Sequence, residues 1–176
     1  MHSIRQVTIS DTHSILALYK RVSQQPGGII RVYEEIDLNY IQRFVNKSID
    51  DGLILAVSHP KDPDRVIAEI HAYQPNLSAF RHILTDLTIV VDPDFQGKKI
   101  GKLLFTEFLE VIKEEFPHIL RIELFVREKN MNAIQFYSTL GFMNEGKQYQ
   151  KIKNLDQSLE TPIHMAWFNP NYNTAL

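Results

Sequence analysis

Val90-Val91-Asp92-Pro93-Asp94-Phe95-Gln96-Gly97-Lys98-Lys99-Ile100-Gly101-Lys102-Leu103-Leu104-Phe105 is the stretch on which the reading of this chain turns. β-Branched residues give way to Asp-Pro, then to a lysine-rich segment containing Gly97 and Gly101, then to apolar residues at helical spacing. That pattern is a strand, a turn and a helix opened by a loop. The first amides of a helix have no acceptor within it, and the helix dipole puts positive charge at the same end. Such a loop binds phosphate well, and Lys98, Lys99 and Lys102 add mobile positive charge. Standing alone, the same residues also make an ordinary β-to-α connection.

Downstream, the helix is expected from about Gln96 to Phe116, with Leu103, Leu104, Phe108, Val111 and Ile112 inward and Pro117 ending it. Leu120 to Arg127 alternates polar and apolar, as a strand does. Asn130 to Leu140 reads as a helix with Ala133, Ile134, Phe136, Tyr137 and Leu140 on one side and Gly141 as its C-cap. Phe142 to Ile152 and Pro162 to Phe168 form a last strand pair across the link Lys153 to Thr161.

Upstream, three strands are expected at Leu53 to Ser58, Val66 to Tyr73 and Ile83 to Val91, joined by the turn-rich link His59-Pro60-Lys61-Asp62-Pro63-Asp64 and by Gln74 to Arg81. Before them, Asp37 is an N-cap for a helix carrying Leu38, Ile41, Phe44, Val45 and Ile49, which Gly52 ends. Ile4 to Ile9 is a short strand, and Ser10 or Asp11 caps a helix with Ile15, Leu16, Leu18, Tyr19 and Val22 as its apolar stripe, stopped by Pro26-Gly27-Gly28. The order is β-α-α-β-β-β-α-β-α-β-β, a mixed α/β (α+β) architecture in which a central, mostly antiparallel sheet is flanked by helices.

The 176 residues suit one domain spanning 1–176. Nineteen basic and 21 acidic residues leave a formal charge of -2, which does not favour nucleic-acid or anionic-membrane binding. The chain has no cysteine, which excludes a disulfide framework, cysteine nucleophiles and thiolate metal sites. Its seven histidines show no paired metal-ligand spacing, so no metal is expected. No apolar run approaches the ~20 residues of a membrane span, and a cytoplasmic location is the default expectation.

Gln96-Gly97-Lys98-Lys99-Ile100-Gly101 after a strand, followed later by Asn130-Met131-Asn132-Ala133-Ile134-Gln135-Phe136-Tyr137 and Leu140-Gly141-Phe142, closely resembles the acyl-CoA signature of the GNAT superfamily of N-acetyltransferases. Lys99 stands where that pattern expects its first glycine, and a side chain is tolerable there if its backbone is helical and the lysine points to solvent or phosphate. The resemblance implies acetyl-CoA as donor. Backbone groups of Ile89, Val90 and Val91 would take the pantetheine arm, and the amides of the Gln96, Gly97, Lys98, Lys99, Ile100, Gly101 and Lys102 segment the pyrophosphate. Asn130 would contact the pantetheine side, and Tyr137 would protonate the departing thiolate. GNAT-like proteins also pair through C-terminal strands, so both a monomer and a homodimer are open.

The amine acceptor needs a base. Alternation puts Glu69, His71 and Tyr73 on one face of their strand, and the same parity groups His82, Asp86 and Thr88 on the next. Glu69 and Asp86 rank ahead of His71 as bases, each also readable as a structural or solvated group. Arg31, Glu34 and Glu35 either select a charged acceptor or belong to a solvated loop. The function expected is acetyl transfer to a primary amine of a small molecule or protein, by direct attack in a ternary complex. The alternative is a non-catalytic acyl-CoA-binding or partner-binding module on the same fold.

Overall fold

A computed structural model describes residues 3–25 and 29–173. Its strands are β1 (Ile4–Gln6), β2 (Gly52–His59), β3 (Asp62–Tyr73), β4 (Ile83–Val91), β5 (Arg121–Val126), β6 (Met143–Lys147), β7 (Ile152–Lys153), β8 (Leu159–Glu160) and β9 (Ile163–Phe168). The helices are α1 (Thr12–Ser23), α2 (Leu38–Asp51), α3 (Ile100–Glu115) and α4 (Met131–Thr139). The strand order is β1-β2-β3-β4-β5-β9-β6, with β7 and β8 as a separate ribbon. This is the mixed, mostly antiparallel arrangement expected, with the ribbon added. The chain packs as two compact units, Met1–Tyr73 with Thr88–Ile112, and Gln74–Leu87 with Lys113–Leu176.

In the first unit, α1 and α2 pack on β2 and β3. Ile15, Leu18, Tyr19 and Val22 of α1 meet Ile41, Phe44 and Val45 of α2 over Ile54, Ala56 and Val66. Burial of each large aliphatic side chain contributes roughly 1.5–3 kcal/mol. Arg5 grips the Asp11 carboxylate with two nitrogens, at 2.8 and 2.6 Å, and the same carboxylate accepts from Thr8 N at 2.8 Å. This fixes the approach to α1. Asp37 caps α2 as expected, accepting from Tyr40 N at 2.7 Å. The Pro26-Gly27-Gly28 stop lies outside the described residues, and α1 ends ahead of it at Ser23.

Gly52 ends α2 and opens β2, paired with Tyr73. A Cβ there would lie 2.1 Å from the Ala72 carbonyl oxygen, so only glycine allows β2 to leave the helix this close to β3. The link between these strands is shorter than the six residues expected, because β2 and β3 run on to a His59↔Asp62 pair across a register shift.

β4 has the span expected but not the parity. Leu84, Leu87 and Val90 are its buried residues, and Asp86, at φ 55°, interrupts the pleat between the first two. A single left-handed residue rotates everything beyond it, so His82, Asp86 and Thr88 are not one face by alternation.

In the second unit, β5 alternates as expected and pairs antiparallel with β9, which also pairs with β6. Ile83 and Leu84 of β4 run parallel to Arg121 and Ile122 of β5. α4 closes with Gly141 at φ 92°, where Phe142 N donates to Tyr137 O and Gly141 N to Ser138 O, each at 3.1 Å. That pair of hydrogen bonds is the Schellman closure a C-terminal glycine permits. The long strand expected over Phe142 to Ile152 is broken. β6 stops at Lys147, Gln150 adopts φ 54°, and Ile152–Lys153 turns away to pair with Leu159–Glu160.

Candidate active site

α3 begins at Ile100, not at Gln96, so Gln96 to Lys99 is loop. Leu103 N donates to Lys99 O at 3.0 Å and closes the first α-turn. The amides of Ile100, Gly101 and Lys102 precede that bond, where helix amides lack an intrahelical acceptor. Gly97 and Lys99 both have left-handed backbones, φ 74° and 63°. Lys99 is therefore not helical, contrary to the expectation. It keeps the conformation that glycine adopts freely, at a cost of about 1 kcal/mol for a residue with a Cβ. The exposed side chains of Lys98, Lys99 and Lys102 surround the loop with positive charge, and Leu103, expected inward, is also exposed.

Gly101 faces the end of β4. A Cβ on it would meet Val91 Cγ2 at 3.4 Å and Ile89 Cδ1 at 3.9 Å, so the helix start lies close against the strand. Val90 points into the core, and Ile89 and Val91 are half-buried. Helix-start amides, left-handed turns and a glycine at the helix start fit a diphosphate ligand.

Asp92 joins the strand to this loop and is almost wholly buried. Arg21 Nε of α1 donates to its Oδ2 at 3.0 Å and Arg65 Nη2 of β3 at 2.9 Å, while Asp94 N donates to Oδ1 at 3.1 Å. Burial would raise this carboxyl. The bonds from Arg65 and the Asp94 amide, with the charges of both arginines, outweigh it and hold the group below the ordinary range. Asp11 is also held low, chiefly by the bond from Arg5. For both groups the folded form binds its proton more weakly than the unfolded chain. The stability they contribute is thus complete above the unfolded value of ~3.9 and is lost as pH falls through the folded values. Melting temperature should hold level from neutrality down to about pH 5 and drop below about pH 4. A melting temperature unchanged to pH 2 would contradict this.

Glu69 and His71 are brought together. Glu69 is fully buried, accepting from Tyr19 OH at 2.7 Å and lying 2.9 Å from His71 Nδ1. Burial, then the charge of Glu69, pushes the Tyr19 phenol well above its usual value, so it stays a donor. The His71 ring stacks on Phe44 at 4.1 Å between centroids, and parallel to Tyr73 at 6.1 Å. Tyr19, read in the sequence as part of an apolar stripe, is the third member of this network. Its hydroxyl gives no periodic signal, and only the fold brings residues 50 apart into contact.

Asp86, Asn130 and Tyr137 belong to the second unit. Asp86 is exposed at the kink of β4. Asn130 caps α4, its Oδ1 accepting from Ala133 N at 3.1 Å. Tyr137 lies mid-helix beside Phe136 and Phe142, and burial pushes its phenol up to about 12. Among the described residues no group of three or more His, Asp or Glu is placed to hold a metal ion. No described helix is long and apolar enough to cross a membrane.

A mixed, mostly antiparallel sheet of this order, with a strand that runs through a left-handed loop into a helix, defines an α/β fold of known family. The chain belongs to the Acetyltransferase (GNAT) family, whose model matches residues 14–142. It is 28% identical over 150 residues to an uncharacterised N-acetyltransferase of Methanocaldococcus jannaschii, covering 80% of this chain and 60% of that protein. The chain thus spans about three fifths of that curated relative's length. An acetyltransferase of the GNAT family from Streptococcus pneumoniae shares the fold with a TM-score of 0.81 at 20% identity, over 96% of this chain and 99% of that one. A phosphinothricin acetyltransferase from Sinorhizobium meliloti, solved in complex with AcCoA, does so with a TM-score of 0.83 at 16% identity, over 99% and 92%.

Proposed function

We propose that this protein is an acetyl-CoA-dependent N-acetyltransferase acting on a primary amine of a small molecule or protein by direct attack. The observation that carries this reading is the Gln96–Lys99 loop, with left-handed Gly97 and Lys99 ahead of the first free amides of α3. Acetyl-CoA supplies the activated acyl group. The amides of Gly97 to Lys102 bind its diphosphate, and backbone groups of Ile89 to Val91 take the pantetheine and polarise the thioester carbonyl. Asn130 contributes on the pantetheine side. With no cysteine in the chain, no cysteinyl acyl-enzyme arises.

For the departing sulfur we assign Tyr137. A phenol at about 12 keeps its proton throughout the neutral range. Complete transfer to a thiolate is uphill from a phenol held that high. Tyr137 therefore acts by donating a hydrogen bond to sulfur as charge builds there. Tyr137→Phe should cut turnover about tenfold or more at saturating acetyl-CoA and leave donor binding within about twofold. Equal turnover would remove this role.

For the amine proton the candidates are Glu69, His71 and Asp86. Both Glu69 oxygens already have partners, Oε2 accepting from Tyr19 OH and Oε1 lying 2.9 Å from His71 Nδ1. We therefore assign the base role to His71 through Nε2, the ring nitrogen that does not face Glu69, with Glu69 orienting the ring. The test is release of CoA thiol from acetyl-CoA across a panel of primary amines. Amine-dependent release supports the transferase, whereas tight acetyl-CoA binding with no release on any amine would favour a binding module.

A further inference from the structure

Asp92 is the point from which the phosphate loop hangs. Its backbone amide donates to Ile67 O at 2.8 Å, and its carbonyl accepts from Phe95 N at 2.8 Å. Its Oδ1 accepts from Asp94 N, and its Oδ2 takes Arg21 and Arg65 from two other elements. Pro93 fixes the next φ, and the following turn ends with Gln96 N bonded to Pro93 O. Gln96 Nε2 then reaches back to Val91 O at 3.1 Å, and Lys98 Nζ to Asp94 O at 2.8 Å. Lys99, two residues beyond Gly97, sits left-handed with a side chain that disfavours it. A conformation of that kind persists only where its surroundings over-determine it. These bonds hold the segment that leads into it.

We propose that Arg21, Asp92 and Arg65 form a latch that sets the geometry of the phosphate loop, and that donor affinity depends on it. The proposal rests on the acetyl-CoA reading for its ligand but not for its structural claim. Two guanidiniums meet one carboxylate, an arrangement with one surplus positive charge. Arg21 Nη2, at 2.9 Å from Oδ2, is off hydrogen-bond alignment, and neither it nor Arg65 Nε has an acceptor among the described residues. Neutralising Asp92 needs only one of these cations. The second ties another element to the same oxygen, so α1, β3 and the loop move together. The three are positioning residues: they touch the loop's anchor, not the acyl group.

The experiment compares wild type with Arg65→Gln, Asp92→Asn and Arg65→Lys. Each is titrated with acetyl-CoA by calorimetry, assayed for kcat and KM, and followed by amide hydrogen exchange. Arg65→Gln and Asp92→Asn are expected to weaken acetyl-CoA binding about tenfold and raise its KM to match, with kcat within about twofold. Arg65→Lys, which keeps one donor on Oδ2, should recover most of the loss. The amides of Phe95 and Leu103 should exchange faster in Arg65→Gln than in wild type, whether or not any ligand is present. Folded variants with unchanged affinity, or a fall in kcat at constant KM, would overturn the latch. Unchanged exchange at Phe95 and Leu103 would overturn it independently. If wild type fails to bind acetyl-CoA yet exchange rises in Arg65→Gln, the donor reading fails and the latch stands. Should Asp92→Asn not fold, Arg65→Gln decides the matter, since the Arg65 side chain is 36% exposed and Arg21 remains.

Discussion

Gly52→Ala is expected to destabilise the fold by about 3 kcal/mol or more, read as a lower urea midpoint at constant m-value. The added Cβ would stand 2.1 Å from the Ala72 carbonyl oxygen and 2.7 Å from the Tyr73 Cα. Both are backbone atoms, so no side-chain rotation relieves the overlap and the β2–β3 pairing itself must shift. The local φ of −172° is ordinary extended backbone, which isolates the cause as proximity. Leu53 and Ile54, next along β2, pair with Ala72 and His71. Loss of register at Gly52 thus also loosens the strand end that holds His71. A change below about 1 kcal/mol would show that β2 and β3 separate more readily than their register implies.

Glu69→Ala is expected to cost about 4 kcal/mol. The substitution removes the carboxylate that accepts from the buried Tyr19 hydroxyl and lies 2.9 Å from His71 Nδ1, leaves those two only their 3.4 Å contact, and adds a void where a fully buried side chain stood. Glu69→Gln separates the contributions. Its amide keeps the volume and one acceptor oxygen but turns a donor toward one of its two partners, so it should fall between wild type and alanine. Tyr19→Phe removes one donor and should be the mildest of the three. Thermal unfolding of the series checks the order, and a Glu69→Ala protein as stable as wild type would mean that the network is not what holds this part of the core.

The fold was legible where signals are local. The span of β4, Asp37 as a helix cap, a helix opening at about Asn130 and Gly141 as its end were all read, because each depends on chemistry within a few positions. Errors fell where distant or conformational facts decide. Asp86 at φ 55° breaks the parity of β4, and no residue type at that position announces it. Lys99 and Gln150 adopt left-handed backbones against their own preference, which moved the start of α3 and cut a long strand into β6 and β7. In the candidate site, the turn and helix start that follow β4 were legible as a motif. The partners of Asp92 were not, since Arg21 and Arg65 lie 71 and 27 residues away. Tyr19 was hidden for the same reason, looking like any core aromatic until Glu69 is placed against it.

The central claim is that the Gln96–Lys102 segment binds the donor. Calorimetric titration with acetyl-CoA, run beside Gly101→Glu, tests it most directly. In the variant a carboxylate would stand at a helix start whose amides are proposed to hold phosphate, with Val91 and Ile89 against its Cβ. Gly101→Ala, which adds only a Cβ at ordinary contact distance, controls for packing. The account predicts micromolar binding by wild type, near-wild-type binding by Gly101→Ala, and none by a folded Gly101→Glu. Equal binding by all three would place the donor elsewhere, and no binding by wild type would contradict the account altogether.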